Sequence, residues 1–474
     1  MATRTHTPDI ISPTTGDLKK HPRGLYVLFA TEMWERFSFY SMLALFTLYL
    51  QDPNEGFGWS AEQATRLYSN YLMFVYASPL VGGWLADKKL GYRKAVMIGG
   101  LFFMAGHLLL SFRSLLAVYT ALTCLVIGNG LFKPNVSTMV GNLYPEGSHL
   151  KDRAYNIFYM GINIGAFLAP IVMEIVKQKA GNHPAFAVAA FGMVISVGIL
   201  WKFKRDVEEP KRGAILDEPP GDVAPVSVDA PPEGVSRQDR DKGGRAAYSH
   251  TERANAMEMV PEGRRIGALI VIYLIVIVFW MVFHQNGSTL TYWADKNTDW
   301  DVTGTISNAI NPFWVVTLTF PLVWFWKWLD NKGKEPSTPT KMAVGMTLTG
   351  LSFFILYFAA KSGEAMAPAN NPYGFRVSPA WLIISYGVVT LGELMLSPMG
   401  LALVSKVAPI RMRGLMMGGW FVATAAGNKL TMIGVYWDRW LHSTFFAVLG
   451  AAALFMAVVL FLLLKPLKKA MPGV

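Results

Sequence analysis

The stretch Thr31-Glu32-Met33-Trp34-Glu35-Arg36-Phe37-Ser38-Phe39-Tyr40 lies in the middle of an apolar segment that runs from about residue 24 to residue 51. A segment of this length can cross a bilayer as a helix. Charged side chains in hydrocarbon are costly, so they are retained where they face a partner or a watery cavity. Three of them within about one turn therefore predict a polar chamber inside a bundle of membrane helices.

The composition of the whole chain indicates the same class of protein. Of the 474 residues, 52% are hydrophobic and 16% are charged, whereas a soluble chain carries about a quarter charged residues. The net charge of +11 does not indicate nucleic acid, because basic residues flank the ends of apolar segments. The single cysteine, Cys124, excludes a disulfide framework. Residues 1–23 show no cleavable signal peptide.

Apolar stretches of about 20 residues recur along the chain and predict an all-α membrane protein with twelve spanning helices. Their approximate limits are 24–51, 64–86, 94–112, 115–142, 153–177, 184–203, 265–292, 303–328, 341–361, 379–405, 412–436 and 443–464. Connections rich in Lys and Arg fall on the same side as the amino terminus, and the positive-inside rule assigns that side to the cytoplasm. The expected location is the plasma (inner) membrane, with both termini cytoplasmic.

The predicted helices divide into two bundles of six. The first bundle covers 24–204 and follows a cytoplasmic amino terminus, 1–23. The second covers 265–465 and precedes a short cytoplasmic carboxyl terminus, 466–474. Between them, 205–264 is rich in Pro, Gly and charged residues and cannot bury a core. We therefore predict a flexible cytoplasmic linker there.

Two further patterns indicate a transporter built from repeats. One glycine and two prolines of the first half recur in the second half at a constant offset. They are Gly128, Pro134 and Pro145, which correspond to Gly392, Pro398 and Pro409. Such repetition is typical of two parallel bundles with a central site, although chance similarity is the alternative. The loop GGWLADKKLGYRK (82–94) is similar to the loop signature of the major facilitator superfamily, which implies a rocking two-domain transporter.

The first predicted helix supplies paired charges. Glu32 and Arg36 are four residues apart with the acid first, the favoured orientation for an ion pair within a helix. Glu35 lies on the same flank, so one carboxylate needs a second cation or a proton. Lys133, in the fourth predicted helix, is the candidate cation. A structural network of ion pairs is the alternative.

The second half supplies one acid in the corresponding place. Glu393 has no base in its own helix and is expected to hold a substrate ammonium or a proton, unless it pairs with Lys429. Asn163 and Asn311 are candidates for neutral hydrogen bonds to a substrate or for contacts between helices.

Aromatic and polar side chains provide further candidates. Trp280, His284 and Ser288 follow one another at intervals of four residues and predict a stripe on one helical face. His284 is either a satisfied core residue or a side chain that is protonated near neutral pH. Four more aromatic residues are candidates for pocket walls, with packing or a membrane-interface position as the alternative: Tyr40, Tyr76, Trp420 and Phe421.

The run Glu32-x-x-Glu35-Arg36-Phe37-x-x-Tyr40 resembles the hallmark of the proton-coupled oligopeptide transporter family, also called the peptide transporter (PTR) family. Four supporting motifs follow in matching order across both halves: GLFKPN (130–135), FYMGINIG (158–165), Asn311-Pro312 and GExxxSPxGL (392–401). The resemblance implies uptake of di- and tripeptides driven by protons. It implies no cofactor and no metal, protons as the coupling ion, no nucleic-acid partner, and a monomer that functions in the lipid bilayer.

The resemblance also implies roles for the candidate residues. The residues that correspond to the proton-coupling group are Glu32, Glu35, Arg36 and Lys133. Two of them, Arg36 and Lys133, correspond to residues near the peptide carboxylate. The residues that resemble those receiving the peptide amino terminus are Asn163, Asn311 and Glu393. The residues that resemble side-chain pocket or other substrate-binding positions are Tyr40, Tyr76, Trp280, Ser397, Trp420 and Phe421.

The chain departs from the family pattern at two places that often form a salt bridge between the halves. Leu43 stands where many members carry an arginine, and His284 stands where many carry a carboxylate. The extracellular gate therefore cannot rest on that pair, and we expect His284 to share in gating or proton handling. The linker also lacks the helix pair often inserted in bacterial members, which predicts twelve spans rather than fourteen.

Two alternatives to peptide transport follow from the same sequence. The fold could carry another solute, such as nitrate, a glycoside or a drug, but an anionic cargo has no use for Glu393. A membrane nutrient sensor or enzyme belongs to another class. The long linker would suit a sensor, whereas no metal-spaced cluster or His and Asp pair supports catalysis.

Overall fold

A computed structural model of the chain describes residues 20–144, 150–207, 259–409 and 412–472. Within these ranges the chain forms thirteen α-helices and no β-strand beyond one isolated bridge, so the all-α prediction is confirmed for them. The helices are α1 (Arg23–Gln51), α2 (Ala61–Leu85), α3 (Tyr92–Leu109), α4 (Leu115–Asn142), α5 (Leu150–Ala180), α6 (Asn182–Lys202), α7 (Glu262–Phe283), α8 (Thr289–Lys296), α9 (Ile310–Asn331), α10 (Thr338–Met366), α11 (Pro379–Val407), α12 (Arg413–Leu430) and α13 (His442–Ala470).

Eight segments of the described chain are long and apolar enough to cross a membrane. They include α4, α6, α10 and α13, and also the continuous stretch Glu262–Lys296 that contains both α7 and α8. The helix α1 is more polar because it carries two acids and an arginine at its centre. Most of the predicted amino-terminal segment 1–23 and linker 205–264, and the predicted absence of an inserted helix pair, lie outside the described residues.

Buried hydrophobic side chains form two large clusters. One is built from residues 25–207, which belong to α1–α6 and the turn that follows. The other is built from residues 268–471 and takes in Leu48 and Ala61 from the first half. Each set of helices therefore buries its own apolar core, and the polar site described below lies where the two sets meet.

Two glycine contacts show the same helix crossing in both halves. A Cβ added to Gly99 of α3 would lie 2.8 Å from the carbonyl oxygen of Gly128 in α4. A Cβ added to Gly345 of α10 would lie 2.7 Å from the carbonyl oxygen of Gly392 in α11. Small residues let membrane helices approach this closely. The repeated sequence motif thus corresponds to a repeated crossing of neighbouring helices.

The seventh predicted span is not one continuous helix. A 3₁₀ turn, His284–Gly287, separates α7 from α8, and Ser288 follows it with φ −136° and ψ −95°. At this turn Gly287 packs against the other half, because a Cβ there would lie 1.9 Å from the hydroxyl of Tyr68. Its carbonyl oxygen also accepts a hydrogen bond of 3.0 Å from the hydroxyl of Thr47. The helix is therefore interrupted where Gly287 contacts the other half. The local sequence pattern does not show this contact.

The halves are joined by polar contacts at one end of the bundle. We call this the far end, and we call the end where α1 begins and α13 ends the terminal end. At the far end the hydroxyls of Thr65 and Tyr292 are 3.3 Å apart. The backbone N of Thr303 donates to Glu174 over 2.9 Å. Together with the Thr47 bond to Gly287, these contacts close the far end.

Candidate functional site

The charged residues of α1 form a buried group. Glu32, Glu35 and Arg36 are each at most 2% exposed. Arg36 donates to both carboxylate oxygens of Glu35, through Nε and Nη2, and its Nε lies 3.4 Å from Oε1 of Glu32. Two-point contact is the stronger geometry between a guanidinium and a carboxylate. The predicted pair of Glu32 and Arg36 therefore exists, but Glu35 holds the guanidinium more closely.

The second oxygen of Glu32 is the least satisfied atom of this group. Its Oε2 is buried and has no hydrogen-bond partner among the described residues. Such an atom is costly when the carboxylate is charged and unsolvated. Glu32 therefore has room for a proton or for a cation that approaches from elsewhere.

Lys133 of α4 lies near this group without contacting it. Its Nζ lies 5.0 Å from the centre of the Tyr76 ring, and it is within electrostatic reach of Glu32, Glu35 and Arg36. It is half-buried and forms no ion pair within 4 Å inside the described ranges. A cation held by an aromatic face but by no carboxylate can accept an anionic ligand.

Glu393 of α11 forms the opposite pole of the site. Its Oε2 accepts a hydrogen bond of 2.9 Å from the side-chain amide of Asn311, which also donates to the hydroxyl of Thr390 over 2.9 Å. The alternative partner, Lys429, contacts the amide oxygen of Asn70 in α2 instead. Inside the described chain, Glu393 thus has a neutral partner and no cation within 4 Å.

Two tyrosines lie near Glu393. Tyr40 is within electrostatic reach of both Arg36 and Glu393. Tyr159 of α5, which the sequence reasoning missed, is also within reach of Glu393 and is 44% exposed. The signal for it was present, because Tyr159 precedes Asn163 by one turn in the FYMGINIG motif. Asn163 donates its amide to the Tyr159 carbonyl oxygen over 2.9 Å.

His284 joins the aromatic walls of the two halves. The Trp280 ring stacks on it at 4.9 Å between centroids and an interplanar angle of 20°. Its Nε2 lies 3.4 Å from the hydroxyl of Tyr76 in α2. Because Tyr76 also lies against Lys133, this tyrosine connects a cation of the first half with the histidine of the second.

The prediction that Ser288 continues the stripe of Trp280 and His284 is wrong. Intervals of four residues align only on a continuous α-helix, and the 3₁₀ turn after Phe283 has about three residues per turn. Ser288 is fully buried beyond that turn. Of this stripe, His284 contacts Tyr76 of the first half, and Trp280 stacks on His284.

The remaining candidates differ in their access to the site. Ser397 is half-buried one turn beyond Glu393. Trp420 is 2% exposed and packs edge-on against Tyr273 at 6.3 Å. It also fills the space beside Gly400, where a Cβ would lie 1.9 Å from its ring. Phe421 is half-buried against the core of the second half. Trp420 thus belongs to a packed core in this conformation.

The sequence repeat accounts for the asymmetry of charge. At the constant offset of the two motifs, Asn129 and Lys133 of α4 correspond to Glu393 and Ser397 of α11. Asn129 donates to the carbonyl oxygen of Val75 over 2.8 Å and is buried. Equivalent faces of two equivalent helices thus carry a cation in one half and an anion in the other.

The described residues include no group of three His, Cys, Asp or Glu side chains arranged to hold a metal ion.

A helical fold with a polar site between two apolar cores is typical of membrane transporters. The sequence pattern of the POT family matches residues 93–212 and 240–437. The chain belongs to this family, so the resemblance seen in the sequence is confirmed, and with it the class of peptide transporters.

Relatives that match most of this chain include peptide transporters of other bacteria. The chain is 29% identical to a di-/tripeptide transporter of Lactococcus lactis, over 96% of this chain and 97% of that one. It is 30% identical to dipeptide and tripeptide permease A of Escherichia coli, over 88% and 84% of the two chains. It is 32% identical to an uncharacterized transporter of Bacillus subtilis, over 96% of both.

Solved structures of the family show the same fold. A crystal structure of the peptide transporter POT in complex with sulfate superposes with a TM-score of 0.79, at 28% identity over 97% of each chain. A POT family transporter in complex with 5-aminolevulinic acid superposes with a TM-score of 0.77, at 26% identity over 95% of this chain and 98% of that one.

Proposed function

We propose that the protein is a symporter that imports di- and tripeptides together with protons, by alternating access between two six-helix bundles. Twelve membrane spans, cytoplasmic termini, a monomeric state and a location in the plasma (inner) membrane are part of this proposal. The observation that carries it is the arrangement of charge. Lys133 lies on one side of the site without an ion pair among the described residues, and Glu393 lies on the other with only a neutral partner.

A peptide in its zwitterionic form matches these two poles. Its carboxylate would bind to Arg36 and Lys133, and its ammonium group to Glu393 with the amides of Asn311 and Asn163. Peptides share their two charged ends and differ in their side chains. Aromatic walls such as Tyr40 and Tyr159 suit variable side chains because they offer area without a fixed hydrogen-bond pattern.

The proton would act on the carboxylates of α1. Arg36 is held by Glu35 and, at 3.4 Å, by Glu32. Protonation of either acid weakens its attraction for the guanidinium and frees Arg36 for the peptide carboxylate. After proton loss the acids recapture Arg36 and favour release. A ligand shifts a conformational equilibrium only through different affinity for the two states, and this exchange of partners supplies that difference.

The polar contacts at the far end support the alternating-access part of the proposal. In this conformation Thr47, Thr65 and Glu174 of the first half bond to the second half there. If the terminal end is cytoplasmic, the conformation is closed toward the outside, and import requires these contacts to break and re-form in every cycle.

Transport by purified protein in proteoliposomes tests the proposal. Glu32→Gln and Glu35→Gln are each expected to retain counterflow of a labelled dipeptide but to lose accumulation driven by an imposed proton gradient. Thr347→Ala is the control, since Thr347 of α10 is a half-buried uncharged residue whose hydroxyl donates to the Ala343 carbonyl oxygen of its own helix over 2.9 Å. Full gradient-driven accumulation by both glutamine variants would contradict proton coupling through α1. Counterflow of nitrate but of no peptide would contradict the cargo.

A further inference from the structure

A pocket outside the transport site lies between α3 and α6 at the terminal end. Its volume is about 190 Å³. Its walls are formed by Lys94, Met97, Ile98, Leu200, Trp201 and Lys204, with Arg93 completing the lining. None of these residues takes part in the site between the halves.

The pocket combines an apolar wall with a cationic rim. Met97, Ile98 and Leu200 supply the apolar wall, and Leu200 is buried. Lys94 and Lys204 are exposed at the rim. No carboxylate is among the described residues that line the pocket. The apolar wall is therefore complementary to an apolar group, and the exposed lysines beside it are complementary to a negative charge.

The ends of the two helices place this pocket at the membrane surface. α3 begins at Tyr92 and α6 ends at Lys202, so the rim lies at the end of α6, a helix long and apolar enough to cross a membrane. Trp201 is 64% exposed at this level, and exposed Trp side chains are enriched at membrane–water interfaces. The Nζ of Lys204 lies 5.8 Å from the centre of its ring.

One hydrogen bond connects the α3 side of the pocket to the α6 side. Nη1 of Arg93 donates to the carbonyl oxygen of Lys204 over 3.2 Å. The bond links the first turn of α3 to the residues that directly follow α6. An occupant of the pocket would contact both of these elements.

We propose that the pocket binds one anionic glycerophospholipid. The phosphodiester lies between Lys94 and Lys204, and the first part of an acyl chain lies on Met97, Ile98 and Leu200. Basic pockets between membrane helices on the cytoplasmic side bind lipid head groups in this way. A free phosphate ion would leave the apolar wall uncovered. The proposal does not depend on the identity of the transported solute.

Native mass spectrometry of the full chain in a neutral detergent provides the first measurement. Phosphatidylglycerol is titrated against phosphatidylcholine of the same acyl chains, and the affinity for the first bound lipid is recorded. We expect the first phosphatidylglycerol to bind at least about tenfold more tightly to the wild type than to the double variant Lys94→Gln and Lys204→Gln, because cationic side chains near an anionic head group strengthen binding.

Matched variants separate this site from general charge attraction. Lys465→Gln with Lys468→Gln removes two lysines of α13 at the same end and is expected to leave the affinity unchanged. Lys94→Arg with Lys204→Arg keeps the charge and is expected to retain binding. Ile98→Asn makes the wall polar and is expected to weaken the lipid but not inorganic phosphate.

Three results would overturn the proposal. One is an equal loss of affinity in the α13 control and in the pocket variant, which indicates diffuse charge attraction. Another is equal binding of the two lipids by the wild type. The third is competition by inorganic phosphate at the same concentration as the lipid, which indicates a site for the free ion.

Discussion

Glu174 of α5 and Thr303 of the second half form a two-point hydrogen-bonded contact across the far end of the bundle. The backbone N of Thr303 donates to one carboxylate oxygen over 2.9 Å, and its hydroxyl donates to the other. Glu174 is 4% exposed, and Gln178 donates to it from the same helix over 2.7 Å. No cation lies within 4 Å of it in the described chain. Most of its hydrogen bonding therefore exists only while the far end is closed.

Glu174→Ala is expected to shift the protein toward a conformation open at the far end. Hydrogen bonds to charged groups contribute about 1.5–3 kcal/mol each, so the shift is expected to be tenfold or more. Labelling of a cysteine introduced by Ser69→Cys measures it, in a chain in which Cys124 has been replaced by serine. Ser69 is buried in α2 and its hydroxyl bonds only to its own helix, at the Arg66 carbonyl oxygen.

Glu364→Ala is the matched control. Glu364 accepts bonds from the backbone N and the hydroxyl of Ser443, the same chemistry, but both residues belong to the second half. Its loss is expected to lower stability without changing the labelling of the introduced cysteine. Equal labelling rates in the two variants would show that Glu174 stabilises the fold but does not control access.

The ion pair of Glu62 and Arg439 spans the same end but is expected to contribute little. The two side chains are 2.5 Å apart, and the arginine is 58% exposed. Exposed ion pairs contribute about 0–1 kcal/mol. Arg439→Gln should therefore change cysteine labelling less than about fivefold, and the change should shrink as salt is added. An effect as large as that of Glu174→Ala, independent of salt, would contradict this ranking.

The extents of α1 and α4 followed from the sequence because each is a long, mostly apolar segment. The predicted span 115–142 coincides with α4, and the first predicted span, 24–51, differs from α1 by one residue. Length and hydropathy are local properties of the chain. The same holds for the opposite charges of α1, α4 and α11, which stand in long apolar segments and are therefore conspicuous.

Features that depend on the other half could not be predicted in the same way. The 3₁₀ turn after Phe283 accompanies packing of Gly287 against Tyr68, more than 200 positions away in the chain. Glu174 appears in the sequence as an ordinary acid near a helix end, and only the position of Thr303 reveals its contact. The sequence allows Arg36 to pair with either glutamate of its helix. In the folded protein it donates two hydrogen bonds to Glu35.

The contact of Tyr76 with His284 predicts coupling between the halves in proton handling. His284→Gln is expected to alter the pH profile of peptide-driven proton uptake, because glutamine cannot titrate. Tyr76→Phe, which removes the hydroxyl 3.4 Å from Nε2, is expected to alter it in the same direction, and the double variant should add little. His107→Gln is the control, since His107 is also buried but stacks on Phe103 within the first half. An unchanged profile in His284→Gln would undermine a role for this histidine.

The close packing of Gly287 predicts that a methyl group there opposes closure of the far end. A Cβ at Gly287 would lie 1.9 Å from the Tyr68 hydroxyl and 2.5 Å from its ring. Gly287→Ala is therefore expected to reduce peptide uptake strongly and to raise labelling of the cysteine introduced by Ser69→Cys. Gly198→Ala on α6, where an added Cβ would have no atom of the described residues within 4 Å, should leave both unchanged. Normal uptake by Gly287→Ala would mean that closure does not require this contact.

The hydrogen bond from Asn311 to Glu393 predicts which end of the substrate the second half recognises. Glu393→Gln keeps the shape and the contact with Asn311 but removes the charge, so dipeptides with a free amino group should bind about tenfold or more weakly. A dipeptide with an acetylated amino group gains nothing from the carboxylate and should bind to both proteins with similar, low affinity. Competition against a labelled dipeptide in vesicles at fixed pH measures both affinities. Thr347→Ala on α10, whose hydroxyl bonds to the Ala343 carbonyl oxygen of its own helix, should preserve the preference for the free amino group. A parallel loss of affinity for both ligands in Glu393→Gln would assign the carboxylate to the architecture of the site and not to the ammonium group.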